Sequence, residues 1–203
     1  MSLDEGYIKF KLEWQDGPAA PESVHTRLNE VRRELFEHEL IGEYKEGEYA
    51  GIGFGNVSLR EAEHSFWISG TATGAHPVLS PDQFARVTHV DLDRNFCRAE
   101  GSVQPSSESM THAAIYRASA EIKAVLHIHS LQHWNRLLGK VPTTREEVAY
   151  GTPEMGTEVG RLFREGELAA EGFFAMAGHN EGLVGFGKSL EGAMKQIREK
   201  LQL

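Results

Sequence analysis

The run Ala124-Val125-Leu126-His127-Ile128-His129 constrains this chain more than any other stretch. Its apolar start calls for burial, so it reads as a core strand. A strand turns alternate side chains to opposite faces, and His127 and His129, two apart, therefore look the same way. The sequence thus puts a pair of imidazoles at the end of a rigid element. An acidic residue upstream, in Ser106-Ser107-Glu108, and a solitary histidine downstream, in Gly178-His179-Asn180-Glu181-Gly182, extend the pair. Three imidazoles and one carboxylate make a ligand set for a borderline divalent ion, Zn²⁺ above all. His-x-His alone is a weak signal, and its company gives it weight. The glycines around His179 are expected to leave room for an ion. His133 reads as a loop or helix-end histidine, and the absence of aspartate from His-x-His-x-x-x-His argues against the metallo-β-lactamase pattern.

The rest of the chain supplies a frame of alternating elements. Tyr7 to Trp14 alternates and reads as a strand with Ile8, Phe10, Leu12 and Trp14 on one face. A helix follows from Ser23, with Val24, Leu28, Val31 and Leu35 at helical spacing. Glycine-rich Gly51 to Leu59, then Phe66 to Gly70, Val87 to Leu92, Phe96-Cys97, Lys123 to His129, Phe173 to Met176 and Leu183 to Phe186 read as strands. Ser80-Pro81-Asp82-Gln83 carries helix-start chemistry, with a serine cap, proline at the first position and a capping-box glutamine. Ser107 is expected to cap a helix from Glu108 to about Ala120. Thr152-Pro153-Glu154 opens another helix, and Ser189 opens a last one carrying Leu190, Ala193, Met194, Ile197 and Leu201 on one face. Strands cluster with helices between and around them, which predicts α/β with a mixed, largely antiparallel sheet.

At 203 residues and 22.6 kDa the chain suits one domain spanning 1–203, with enough material for a core. The net charge of −9 argues against nucleic acid as a partner. An anionic substrate must then be caught locally, by backbone amides or one or two cations. The single cysteine, Cys97, precludes an internal disulfide and suits a reducing cytoplasm. Acidic Met1-Ser2-Leu3-Asp4-Glu5 lacks the apolar stretch of a signal peptide, and no run reaches the roughly 20 apolar residues of a membrane helix.

Ser106 and Ser107 at a helix start have their own logic, because free N–H groups, the helix dipole and hydroxyl donors suit a phosphate. The same dipole favours a charged Glu108, free to coordinate a metal or accept a proton. Gly55-Asn56-Val57-Ser58 and Thr71-Ala72-Thr73-Gly74 are further turns that can donate to phosphate. Lys188 in Gly187-Lys188-Ser189 lacks the upstream glycine spacing of a phosphate loop. No Gly-x-Ser-x-Gly elbow supports a serine hydrolase.

Taken in order, these pieces resemble the class II aldolase/adducin family. The matching stretches are Gly55-Asn56-Val57-Ser58, the Thr71–Gly74 loop, Pro105-Ser106-Ser107-Glu108 with His112-Ala113-Ala114-Ile115-Tyr116, Ala124 to Ser130, and Gly178 to Gly182 running into Gly185-Phe186-Gly187-Lys188. The resemblance implies a three-layer α/β/α fold with a mostly antiparallel central sheet, to which residues 1–22 are an N-terminal extension. It implies a homotetramer with active sites between neighbours. It maps a zinc site onto His127, His129, His179 and Glu108, and a phosphate pocket onto Asn56, Thr73, Gly74, Ser106 and Ser107. Tyr150 is the match to the family's proton-donating tyrosine, and Tyr116 reads as helix core. The activity implied is aldol cleavage of a ketose phosphate, with Glu108 exchanging a proton at the carbon next to the carbonyl. Methylthioribulose-phosphate dehydratases keep the same four residues and stay open as an alternative. The family's ribulose-phosphate epimerases usually carry aspartate where Glu108 stands. An adducin-like interaction module without catalysis is the alternative from another class.

Overall fold

A computed structural model describes residues 6–166 and 168–203; the acidic Met1–Glu5 stretch lies outside the described residues. Among the described residues ten strands follow one another: β1 (Lys11–Gln15), β2 (Gly42–Glu43), β3 (Gly53–Phe54), β4 (Asn56–Arg60), β5 (Phe66–Ser69), β6 (Phe84–Asp91), β7 (Phe96–Glu100), β8 (Ala124–His129), β9 (Phe173–Ala175) and β10 (Gly182–Gly187). Eight of them form one sheet in the order β1-β7-β6-β5-β4-β8-β10-β9. All neighbours in it run antiparallel except β1, which lies parallel to β7 at one edge. The short pair β2 and β3 forms a separate ribbon.

The helices are α1 (Glu22–Glu37), α2 (Ser109–Ala118), α3 (Leu131–Leu137), α4 (Pro153–Glu165), the short α5 (Leu168–Glu171) and α6 (Leu190–Leu201). They cover both faces of the sheet, giving the α/β/α layering expected. On one face α2, α4 and α5 bury Met110, Ile115, Met155, Val159 and Leu168 against Ile68, Val125, Val184 and Phe186. On the other, α1 and α6 bury Leu28, Leu35, Met194 and Ile197 against Val57, Leu126, Ile128 and Leu183. Each such side chain contributes about 1.5–3 kcal/mol of burial. The alternation along β8 is what matters for the site. Ala124, Leu126 and Ile128 belong to the α1/α6 core, whereas Val125 belongs to the α2/α4 core. His127 and His129 share the parity of Val125 and so point to the side on which α2 begins. Gly185 lets α6 approach, since a Cβ there would meet Ile197 Cγ1 at 2.6 Å.

Two local expectations needed correction, and one element went unread. The N-terminal strand pairs only over Lys11–Gln15, with Trp14 38% exposed, because an edge strand has one neighbour and its outer residues gain no burial from alternation. Ser80–Gln83 makes a single 3-10 turn in which Gln83 Oε1 accepts from the Ser80 N–H, and no helix follows. Phe84 and Ala85, both fully buried, are drawn into β6 instead. The segment after the histidine strand forms α3, a short helix that periodicity did not reveal.

Candidate metal centre and its clefts

β8 delivers His127 and His129 beside β4, where Asn56 stands opposite His127, and beside β10, where Gly182 stands opposite His129. His179 reaches the same point from the turn that links β9 to β10. That turn is closed by His179 N–H to Met176 O at 3.2 Å and Gly182 N–H to His179 O at 2.9 Å. A Cβ on Gly182 would sit 2.4 Å from His179 Cδ2, so glycine is required for the imidazole to fold back over the strand end. Gly178 serves a different purpose. A Cβ there would strike Val148 O at 2.2 Å. These glycines therefore admit the chain's own ring and backbone, which corrects the expectation that they clear space for an ion.

The result is a convergence of imidazole nitrogens. His129 Nε2 lies 2.9 Å from His127 Nε2 and 3.1 Å from His179 Nε2. Nitrogens bound to one tetrahedral zinc at roughly 2.0–2.1 Å would stand about 3.3 Å apart, so the trio is close to the spacing an ion would impose. Glu108 Oε1 lies 3.9 Å from His127 Nε2 and 3.8 Å from His179 Nε2. All four side chains are buried. Among the described residues, neither Glu108 carboxylate oxygen has a hydrogen-bond partner, and a buried carboxylate left so is costly unless a cation or a proton joins it. The three histidines thus form a group that could hold a divalent ion, with the Glu108 carboxyl beside two of them.

Burial sets the charge states. Desolvation lowers His127 to about 3 and holds His129 and His179 well below the usual histidine range, so all three stay neutral with lone pairs available. Desolvation pushes Glu108 up to about 7, within reach of both protonation states at neutral pH.

Glu108 sits at the N-cap of α2, one residue later than the cap expected at Ser107, and its N–H donates to Ser106 Oγ at 3.2 Å. A cleft beside the trio is lined by Asn56, Thr71, Ser106, Ser107, Glu108 and His127. Asn56 Oδ1 is buried there without a hydrogen-bond partner among the described residues. The structure thus brings Asn56, Ser106 and Ser107 together next to Glu108. It sets Thr73 and Gly74 back from that lining. Thr73 Oγ1 donates to Gly70 O at 2.7 Å, and a Cβ on Gly74 would meet Gly42 O at 2.3 Å. Buried Arg32 fastens this loop by donating to Thr73 O at 2.9 Å and His76 O at 2.7 Å.

A second cleft is lined by Tyr44, Tyr49, Tyr150, His179 and Glu181. Tyr150 is buried, and its ring meets that of His179 edge-on with centroids 4.4 Å apart. The Lys9 ammonium lies 3.6 Å from the centre of the Tyr150 ring. Tyr116 belongs to a buried network behind the site, where Ser58 Oγ lies 2.7 Å from both Tyr116 Oη and His112 Nδ1. Tyr44 carried no sequence signal, since it sits in neither a motif nor a periodic run, and Lys9 showed only as a polar position in the alternating Tyr7 to Trp14 run.

Known proteins share this arrangement of elements. Residues 43–200 match the family model of the Class II Aldolase and Adducin N-terminal domain. A methylthioribulose-1-phosphate dehydratase of Leptospira interrogans is 33% identical over 111 residues, covering 50% of this chain and 43% of that protein. A probable L-ribulose-5-phosphate 4-epimerase of Mycoplasma pneumoniae is 31% identical over 77 residues, covering 38% of this chain and 30% of that protein. The chain thus spans less than half the length of these curated relatives. Among solved structures, an L-fuculose 1-phosphate aldolase superposes with a TM-score of 0.67 at 20% identity, over 91% of this chain and 84% of the other. That likeness establishes the shared fold.

Proposed function

The chain belongs to the class II aldolase and adducin family, and we propose that it is a metal-dependent lyase that cleaves a ketose phosphate by a reversible aldol reaction. The observation that carries this reading is the convergence of three neutral imidazole nitrogens, two of them within 4 Å of a buried carboxyl that has no hydrogen-bond partner among the described residues, beside a helix start suited to phosphate. A divalent ion bound there, Zn²⁺ on this donor set, would supply Lewis acidity toward the sugar's carbonyl.

The chain's own groups do the rest. His127, His129 and His179 hold the ion, with Glu108 in reach as a further ligand. Asn56, Ser106 and Ser107, with the N–H groups that open α2, bind the phosphate. Thr73 and Gly74 stand in the same loop as Thr71, set back from the lining of this pocket. Glu108 gives or takes the proton at the carbon next to the carbonyl, a role suited to a carboxyl that titrates near neutrality. Tyr150 exchanges the proton of the hydroxyl that becomes the aldehyde oxygen. The reading includes a cytoplasmic homotetramer; buried Cys97, its thiol pushed up to about 12 by desolvation, suits a reducing compartment.

Loss of water from the same kind of substrate is the second reading, favoured by the curated relative named as a dehydratase. There Glu108 takes the proton next to the carbonyl while hydroxide leaves the adjoining carbon. Incubating the zinc-supplied protein with a panel of ketose phosphates separates the two. Dihydroxyacetone phosphate with an aldehyde supports aldol cleavage, and an intact carbon skeleton that has lost water supports dehydration. Protein that stays metal-free and turns over no sugar phosphate would defeat both and favour an adducin-like interaction module.

A further inference from the structure

Beyond the ligand set itself, the geometry points to Tyr44 and Glu181 as positioning residues that fix which nitrogen of His129 faces the metal, an inference that rests on the metal-centre reading above. Tyr44 Oη lies 2.9 Å from His129 Nδ1 and 3.3 Å from Glu181 Oε2. A neutral imidazole carries one N–H, and only its bare nitrogen can ligate. A carboxylate accepts and does not donate. Glu181 therefore draws the Tyr44 hydroxyl proton toward itself. Tyr44 Oη is left to accept from His129 Nδ1–H, which turns the Nε2 lone pair toward His127 and His179. Were the order reversed, with Tyr44 donating to Nδ1, Nε2 would carry the proton and His129 could not bind an ion.

The surroundings support a built device. Phe54 stacks on the His129 ring with centroids 5.4 Å apart, and Tyr44 packs on Phe54 at 4.7 Å. Glu181 holds a left-handed backbone, φ 68°, between His179 and Gly182. That conformation is strained for a residue with a Cβ. Its carbonyl accepts from Ser130 N–H at 3.0 Å, which ties the strained residue to the end of the histidine strand. The same turn thus presents one ligand, His179, and orients another, His129.

The test compares the full chain with Tyr44→Phe, Glu181→Gln and Phe54→Leu by zinc competition against a chromophoric chelator. The His129 tautomer is read in each metal-free protein by ¹⁵N NMR. Tyr44→Phe is expected to weaken zinc binding by about 10- to 100-fold, the range for loss of an outer-sphere partner, and to lose the Nδ1–H preference. Glu181→Gln, whose amide can also donate, is expected to fall between it and the parent. Phe54→Leu should keep the parent tautomer. Zinc affinity in Tyr44→Phe within twofold of the parent, or an Nε2–H tautomer in the parent, would overturn the assignment. Failure of the parent to bind zinc would sink the metal-centre reading, while the tautomer of the metal-free protein still judges the relay.

Discussion

Replacing Glu108 with glutamine is expected to make the metal-free protein more stable at pH 8 by about 3 kcal/mol. The carboxyl is buried without a hydrogen-bond partner among the described residues, and desolvation raises its pKa from 4.5 to about 7. Each tenfold weakening of an acid on folding costs its charged form about 1.36 kcal/mol, so a rise from 4.5 to about 7 corresponds to roughly 3 kcal/mol. The sign follows from proton counts. Between 4.5 and 7 the unfolded chain has released this proton and the folded chain has kept it, so stability falls as pH rises through that window and levels off above it. Glutamine has nothing to release. The histidines contribute an opposite slope as pH climbs toward 6.5, because the folded protein keeps them neutral, but both proteins share that slope and it cancels in the difference. Urea melts of both proteins in a chelator, from pH 4 to 8, therefore isolate Glu108. Parallel stability curves would refute the role given to desolvation, and a parent that gains on Glu108→Gln with rising pH would show a carboxylate stabilised by its neighbours. Zinc should shrink or reverse the difference, since a cation beside the carboxylate favours its charged form.

His127→Ala should retain the fold and lose bound zinc, as read by metal analysis after dialysis; full occupancy in that variant would show that the ligand set is wrong. Glu108→Gln should fold and lose most turnover, and an unchanged rate would remove Glu108 from the chemistry. Gly185→Ala drives a methyl toward Ile197, and overpacking of this kind should cost about 1–3 kcal/mol in denaturant melts; neutrality would mean that α6 shifts freely. Ser58→Ala strips the shared partner of His112 and Tyr116 and should cost about 1–3 kcal/mol with zinc affinity preserved. A loss of affinity there would tie the network to the metal centre.

The sheet and the histidine pair on β8 were legible in the sequence for one physical reason. Strand parity is strict, so two histidines two apart on a buried strand must share a face, and β8 keeps that parity between two cores. Helix starts at Thr152 and Ser189 were equally readable, because each hydroxyl accepts from the N–H three residues on. Burial by tertiary partners was not readable. It turned the Ser80 helix signal into one turn before a buried strand, and its lack at the sheet edge left the N-terminal strand short. The contribution of Tyr44 also lay beyond sequence, since it reaches His129 across 85 residues through a loop with no periodicity. Gly182 was visible as a glycine, yet its need appears only when the His179 ring is seen lying where a Cβ would stand.

Whether three imidazoles share one ion is decided by X-ray absorption at the zinc edge of the loaded protein. The expected spectrum shows one zinc per chain, with several imidazole nitrogens at about 2.0–2.1 Å and their characteristic ring scattering, abolished in His127→Ala. A chain that retains no zinc, or a spectrum without imidazole scattering, would contradict the shared metal centre.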